Sequence, residues 1–262
     1  MFLPLFRVED DPGPDFAQLL QRSGLNPPHP ESGGLTPEMY RHGTTCVAIR
    51  YADGVLLAGD RRATSGHLIS HRTIEKVFPA DRHSGVAIAG AAGPAVEMVR
   101  LFQLQLEHYE KVEGVPLSLE GKANQLSQMI RGNLPAAMQG LAVVPIFAGF
   151  DLKRNEGRLF EFDVTGGRYE EADHATTGSG SLHAGTVIKL GFRRNLASDE
   201  VITLAIEALY EAADEDSATG GPDPVRGIYP VVATISADGY TRIDDDRLSE
   251  ITRNVIDRRR EV

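Results

Sequence analysis

One cysteine, Cys46, in 262 residues excludes an intramolecular disulfide framework. Basic residues are also in deficit. Lys and Arg number 27 against 37 Asp and Glu, a formal charge of −10, which is the wrong sign for non-specific binding to nucleic-acid phosphates. The one basic cluster, Arg258-Arg259-Arg260, reads as a frayed, solvated helix end. No stretch approaches the roughly 18–20 apolar residues of a membrane-spanning helix, so no membrane anchor is expected. The apolar start Met1-Phe2-Leu3-Pro4-Leu5-Phe6 has no positive region before it and runs straight into Glu9-Asp10-Asp11, unlike a secretory signal. No internal repeat of solenoid period is present. What remains is 41% apolar and 24% charged, the composition of a globular protein with chain enough for a large core. A cytoplasmic location is the expectation.

Residues 1–43 differ from the rest. Seven prolines and the glycines Gly13, Gly24, Gly33 and Gly34 punctuate them, leaving room for one short helix over 15–23. This leader reads as irregular and detachable. From position 44 the patterns sharpen. Strand runs over 44–51 and 54–60 form a hairpin through Ala52-Asp53-Gly54, and 76–78 with 85–89 form a second pair. Gly93 and Pro94 open a helix lined by Val96, Val99, Phe102, Leu104, Leu106 and Tyr109. Ser118 caps another, which Pro135 should break. A hairpin follows over 143–150 and 158–164. Helices then start at the turn Gly178-Ser179-Gly180-Ser181 and at Ser198, which is read as an N-cap before the acids Asp199 and Glu200. Strands over 231–236 and 240–243 precede a last helix capped by Asp246. Antiparallel hairpins separated by blocks of helices predict two sheets face to face with helices outside, not alternating βαβ units.

Several motifs carry little. Gly178-Ser179-Gly180 lacks the third glycine of a dinucleotide loop, since position 183 is His183. His67 and His71 fall in an extended segment, where four residues span about 13 Å, so they read as solvent-facing side chains. Asp214-Glu215-Asp216 starts like a calcium loop but lacks the closing glutamate. A solvated acidic patch is the plain reading, although acids are disfavoured at a helix C-terminus. Cys46 reads as a small buried hydrophobe.

Gly43-Thr44-Thr45 stands at the border between leader and strand. Threonine is a good strand residue, so the tripeptide alone leaves a plain structural reading open. A cut between Gly43 and Thr44 would, however, expose a threonine with a free α-amine. A threonine hydroxyl needs a base within hydrogen-bond reach, and an α-amine titrating near pH ~7.7–8.0 can serve. Sixteen residues on, Asp60 ends an apolar strand, and sixteen further Lys76 opens another. An acid and a base at neighbouring strand ends can pair, although an exposed pair would contribute only about 0–1 kcal/mol.

His42-Gly43-Thr44-Thr45, the run Gly59-Asp60-Arg61-Arg62-Ala63-Thr64, Lys76, Ala89-Gly90-Ala91-Ala92, Gly178-Ser179-Gly180-Ser181 and Asp216-Ser217-Ala218-Thr219-Gly220 occur in this order. In that order and spacing the chain resembles the beta subunits of the 20S proteasome over essentially all of 44–262, and Tyr210-Glu211-Ala212-Ala213-Asp214, Gly221-Pro222-Asp223 and Val225-Arg226-Gly227 look most like the actinobacterial form. The resemblance implies an α+β fold, the four-layer αββα sandwich of N-terminal-nucleophile hydrolases. It also implies a propeptide, residues 1–43, removed by autocleavage from a peptidase domain, residues 44–262.

The resemblance further implies roles. Thr44 would be the nucleophile, Lys76 the cation beside its hydroxyl and Asp60 the partner that fixes Lys76. The Gly90 N–H would donate to the oxyanion. Ser179 and Asp216, with Ser217 or Thr219, would surround the Thr44 amine. Thr64 and the backbone around Ala92 would bind the substrate strand by β-augmentation. Ala63, Ile74, Phe78, Ile88, Ala92 and Val96 would line the pocket before the scissile bond, implying cleavage after bulky apolar residues. No metal or organic cofactor is implied. The implied partners are alpha subunits and further beta subunits in stacked seven-membered rings, an ATPase ring, and unfolded protein substrates. The bacterial two-ring HslV-type peptidase, a small-amide amidase of the same nucleophile class and a non-catalytic ring subunit remain alternatives.

Overall fold

A computed structural model of the chain describes residues 43–260. The helix expected over 15–23, like the rest of the leader, lies outside the described residues.

The first strand, β1 (Thr45–Tyr51), turns through Ala52 and Asp53 into β2 (Gly54–Gly59), with Tyr51 opposite Gly54. Nearly every residue of both is buried. Side chains alternate between two apolar layers: Cys46, Ala48, Val55 and Leu57 face a second sheet, while Val47, Ile49, Leu56 and Ala58 face helices. This double burial is why the strands read as continuous apolar runs rather than alternating ones.

Two five-stranded antiparallel sheets result. The first carries β1 and β2 in its middle, flanked by β10 (His174–Gly178) on one side and by β11 (Val231–Ser236) and β12 (Gly239–Arg242) on the other. The second runs β5 (Val77–Asp81), β6 (Ser84–Gly90), β7 (Val143–Asp151), β8 (Glu156–Phe162) and β9 (Arg168–Glu171). A separate ribbon, β3 (Ala63–Ser65) with β4 (Leu68–His71), projects from the end of β2.

Helices α1 (Ala92–Glu113) and α2 (Leu119–Gly132) cover the outer face of the second sheet. There Phe147 meets Phe102 edge-on at 5.9 Å and stacks on Phe160 at 6.0 Å. Helices α4 (Ser181–Gly191), α5 (Ser198–Glu215) and α6 (Asp245–Arg260) cover the first. The four layers are helix, sheet, sheet, helix. The break expected at Pro135 is present: α2 stops at Gly132 and one further turn, α3 (Leu134–Ala137), follows.

Some local expectations need correction. Asp246 lies in the first turn of α6, and the cap is Asp244, whose Oδ1 accepts the Arg247 N–H at 2.8 Å. Ser198 is the first residue of α5. The preceding Ala197 N–H is taken by the Glu200 carboxylate at 2.9 Å, since alanine has no capping oxygen. Leu104 is 62% exposed, because two helical positions from buried Phe102 is about 200° around the axis. The terminal arginines are not a free end: Arg258 pairs with Glu207 at 3.0 Å and Arg259 with Glu211 at 2.6 Å, tying α6 to α5.

Candidate active site

The site forms where the start of β1, the end of β2 and the end of β10 meet. Asp60 directly follows β2 and is fully buried. Its Oδ1 accepts the Lys76 Nζ at 2.6 Å and the Thr45 N–H at 2.8 Å. Its Oδ2 accepts the N–H groups of Arg62 and Gly220, each at 2.8 Å. A carboxylate with four donors, one of them a cation, is stable as an anion even without water. The sixteen-residue spacing thus gives a buried pair, not the exposed one that spacing alone would allow. Lys76 in turn donates to the Arg62 carbonyl at 2.6 Å and lies 3.4 Å from the Gly43 carbonyl oxygen.

On the other side of Thr44, the Thr44 N–H donates to Ser179 Oγ at 3.4 Å, and the Ser179 N–H donates to the Thr44 carbonyl at 2.8 Å. Ser179 Oγ donates to Asp216 Oδ2 at 2.5 Å, and Thr219 Oγ1 donates to the same oxygen at 2.6 Å. Partial burial pushes the Asp216 carboxyl up, but hydrogen bonds from Ser179, Thr219 and the Ala218 N–H, with the nearby His183, more than offset it and hold the group below the usual carboxylate range. Asp216 is therefore an anion and acceptor at neutral pH. Its odd place at the C-cap of α5 is explained by these partners, not by the helix.

Ser217 does not join this cluster through its side chain. It is exposed and contributes its carbonyl, which accepts Arg62 Nη1 at 2.9 Å. Thr45 Oγ1 meets Thr219 Oγ1 at 2.5 Å and accepts the Gly180 N–H at 3.1 Å.

Glycines shape the approach to Thr44. A Cβ on Gly43 would lie 1.8 Å from the Ala218 Cβ, and one on Gly178, where φ is +100°, would lie 1.8 Å from the Thr44 carbonyl oxygen. Gly90 has φ +108°, and a Cβ there would sit 2.1 Å from the Ala142 oxygen. Only glycine meets these demands.

A narrow pocket of about 20 Å3 beside Gly43 and Thr44 is lined by Ala63, Ile74, Ile88, Gly90, Ala92 and Val96, with Glu75 at its wall. Phe78 is absent from that lining. It lies in an adjoining, wider apolar groove that shares Ile74, Glu75, Ala92 and Val96. Thr64 is buried, and its Oγ1 accepts the Gly43 N–H at 3.3 Å.

The sequence reading missed Thr45, Arg62 and Gly220 as parts of the site. Each acts through main chain or beside a named residue: Thr45 and Gly220 donate to Asp60, and the Arg62 carbonyl takes Lys76. The available signal was adjacency to Thr44, Asp60 and Thr219. Glu75 was also missed. Apart from Thr44 and Lys76 its neighbours on the wall are apolar or glycine, and its carboxylate is turned to Arg242 Nη1 at 2.6 Å.

Residues 40–225 match the proteasome subunit family profile. The chain belongs to the proteasome subunit family. Within that family it is similar to the proteasome subunit beta of Acidimicrobium ferrooxidans, 63% identical over 249 residues, which cover 95% of this chain and 91% of the relative. It is also similar to the proteasome subunit beta of Streptomyces griseus subsp. griseus, 59% identical over 220 residues, covering 84% and 78%. The αββα layering read from the element order is the fold of this proteasome-family domain. Among the described residues no helix is long and apolar enough to cross a membrane.

Proposed function

We propose that this chain is the catalytic beta subunit of a 20S-type proteasome, a threonine endopeptidase made with a leader, residues 1–43, that it removes itself. One observation carries the reading. The Gly43–Thr44 peptide lies between a buried cation on its carbonyl side, Lys76 Nζ at 3.4 Å, and an ionised hydrogen-bond relay on its nitrogen side, Ser179 and Asp216.

In the uncut chain the Thr44 nitrogen is an amide and cannot be a base. The Thr44 hydroxyl attacks the Gly43 carbonyl, and the carbon–nitrogen bond breaks as the nitrogen takes a proton. Water then hydrolyses the resulting ester, releasing the leader as a carboxylic acid and restoring the Thr44 hydroxyl beside the amine freed in the first step. Gly43 suits this step because its packing against Ala218 leaves no space for a side chain. After release the amine, held by Ser179, accepts the hydroxyl proton while Thr44 attacks a substrate carbonyl, passes that proton to the departing amine as the peptide bond breaks, and water then hydrolyses the acyl ester. Lys76 stabilises the alkoxide-like oxygen, and Asp60 keeps Lys76 in place. The Gly90 N–H supplies the oxyanion donor.

The narrow pocket lined by Ala63, Ile74, Ile88, Ala92 and Val96 has room for little more than a water by itself, so a bulky apolar side chain before the cut would also occupy the wider groove beside Phe78, which shares Ile74, Ala92 and Val96. The two beta-type relatives support assembly with alpha and further beta subunits in stacked rings. An ATPase ring feeding unfolded proteins, in the cytoplasm, fits that role, and no step needs a metal or cofactor.

The test is co-expression with the alpha partner, followed by hydrolysis of fluorogenic peptides ending in Leu, Tyr, Arg or Asp. Turnover after Leu and Tyr that vanishes in Thr44→Ala supports the proposal. Unchanged turnover in Thr44→Ala overturns it, and a preference for Arg or Asp overturns the pocket assignment.

A further inference from the structure

A second cavity, of about 350 Å3, shares residues with the candidate active site. Arg61, Arg62 and Arg72 line it, with Tyr210, Gly220 and Gly221. Three guanidinium groups in one cavity run against the charge of the chain, −10 overall. Among the described residues none of the three has an ion-pair partner. Arg62 Nη1 donates to the Ser217 carbonyl at 2.9 Å and Arg61 Nη2 to the Thr73 carbonyl at 3.2 Å. The Arg61 Nε is shut off from solvent with no acceptor, a costly state for a charged donor. Arg72 is exposed. Two carboxylates also line the cavity. Asp223 is already engaged by Arg226 Nη1 at 2.5 Å. Asp214 is exposed at the end of α5. The balance leaves the arginines in excess.

We propose that this cavity binds a small oxyanion of the phosphate class, held by Arg61, Arg62 and Arg72. Planar guanidinium forks match tetrahedral oxyanions through paired charge-assisted hydrogen bonds. Resting on the peptidase reading above, the cavity also communicates with the active site. Arg62 donates its N–H to Asp60 and accepts Lys76 on its carbonyl, while its side chain holds the carbonyl of Ser217, next to Asp216. An oxyanion that draws the Arg62 guanidinium from Ser217 changes the tension on both sides of Thr44 without touching a substrate.

The probe is inorganic phosphate, titrated by calorimetry into the assembled particle at constant ionic strength, with chloride as the screening control. The same titration is made on Thr44→Ala particles, so binding is read without any need for activity. Arg72→Ala is the test variant, because Arg72 is exposed and outside the catalytic cluster. The expected result is saturable binding with a Kd at or below about 1 mM, weakened about tenfold in Arg72→Ala. Wild-type peptide hydrolysis should change along the same saturation curve. No saturable binding, or equal binding in Arg72→Ala, overturns the site. Binding that leaves the rate unchanged in a particle that does cleave peptides overturns the coupling alone. A particle that binds phosphate but cleaves nothing leaves the site standing and overturns the peptidase reading.

Discussion

Replacing Lys76 by methionine keeps most of the side-chain volume and removes the charge. The effect follows from the environment of Asp60. The two side chains are 5% and 0% exposed, with Nζ and Oδ1 2.6 Å apart. Removing one partner of a buried ion pair costs about 3–5 kcal/mol, because the other charge is left uncompensated. Asp60 keeps three N–H donors, from Thr45, Arg62 and Gly220, which places the expected loss near the lower end, about 3 kcal/mol. The chemical loss is separate. In the proposed mechanism, removing the ammonium takes the cation from the Gly43 carbonyl and the stabiliser from the Thr44 oxygen, an electrostatic loss worth roughly 10²–10³ in rate. Urea unfolding at fixed protomer concentration reads the first effect, and the mass of the chain with peptide turnover reads the second. Lys76→Arg separates them. It retains the charge and recovers part of the stability, but its larger head in a slot only 4% exposed misplaces the donor and leaves the rate low. Leader release at the wild-type rate in Lys76→Met would refute the reasoning, whatever the stability.

Other outcomes follow from single contacts. Gly43→Val should block leader release while the particle still assembles, because its Cβ would fall 1.8 Å from that of Ala218; the mass of the assembled chain is the readout. Asp216 has a depressed folded pKa. Its stabilising contribution is therefore complete above the unfolded value near ~3.9 and is lost as pH falls through the folded value, so Asp216→Asn should flatten that acid limb in pH-dependent urea melts. Burial pushes the Cys46 thiol up to about 12, with Lys76 opposing and Asp60 reinforcing the shift. Native protein at pH 8 should resist iodoacetamide and react only on unfolding. The sign is that of a raised pKa: the contribution is intact below about 8.5 and is lost as pH climbs toward 12.

The layers were legible because their strands and helices bury whole faces. β2 announces itself as an unbroken apolar run and β1 as one interrupted by Arg50, and Pro135 marks the break after α2. The elements that escaped are those that bury least. β4 is exposed along its length, and β9 carries Arg168, Glu170 and Glu171 on a sheet edge, where charge discourages pairing with other chains. β10, His174–Gly178, is polar except for Ala175 and is defined by its register with β1, a long-range pairing that no local pattern reveals. The site divides the same way. Thr44, Asp60 and Lys76 stand out as side chains at spaced strand ends. The N–H groups of Thr45, Arg62 and Gly220 that hold the Asp60 carboxylate act through the backbone, which carries no residue-type signature.

The most direct measurement is the intact mass of the chain recovered from particles assembled with the alpha partner, alongside Thr44→Ala. The account predicts that the wild-type chain begins at Thr44, with residues 1–43 gone, and that the variant keeps its leader. A wild-type chain that retains its leader in assembled particles, or a variant that loses it as efficiently, would contradict a self-processing threonine nucleophile.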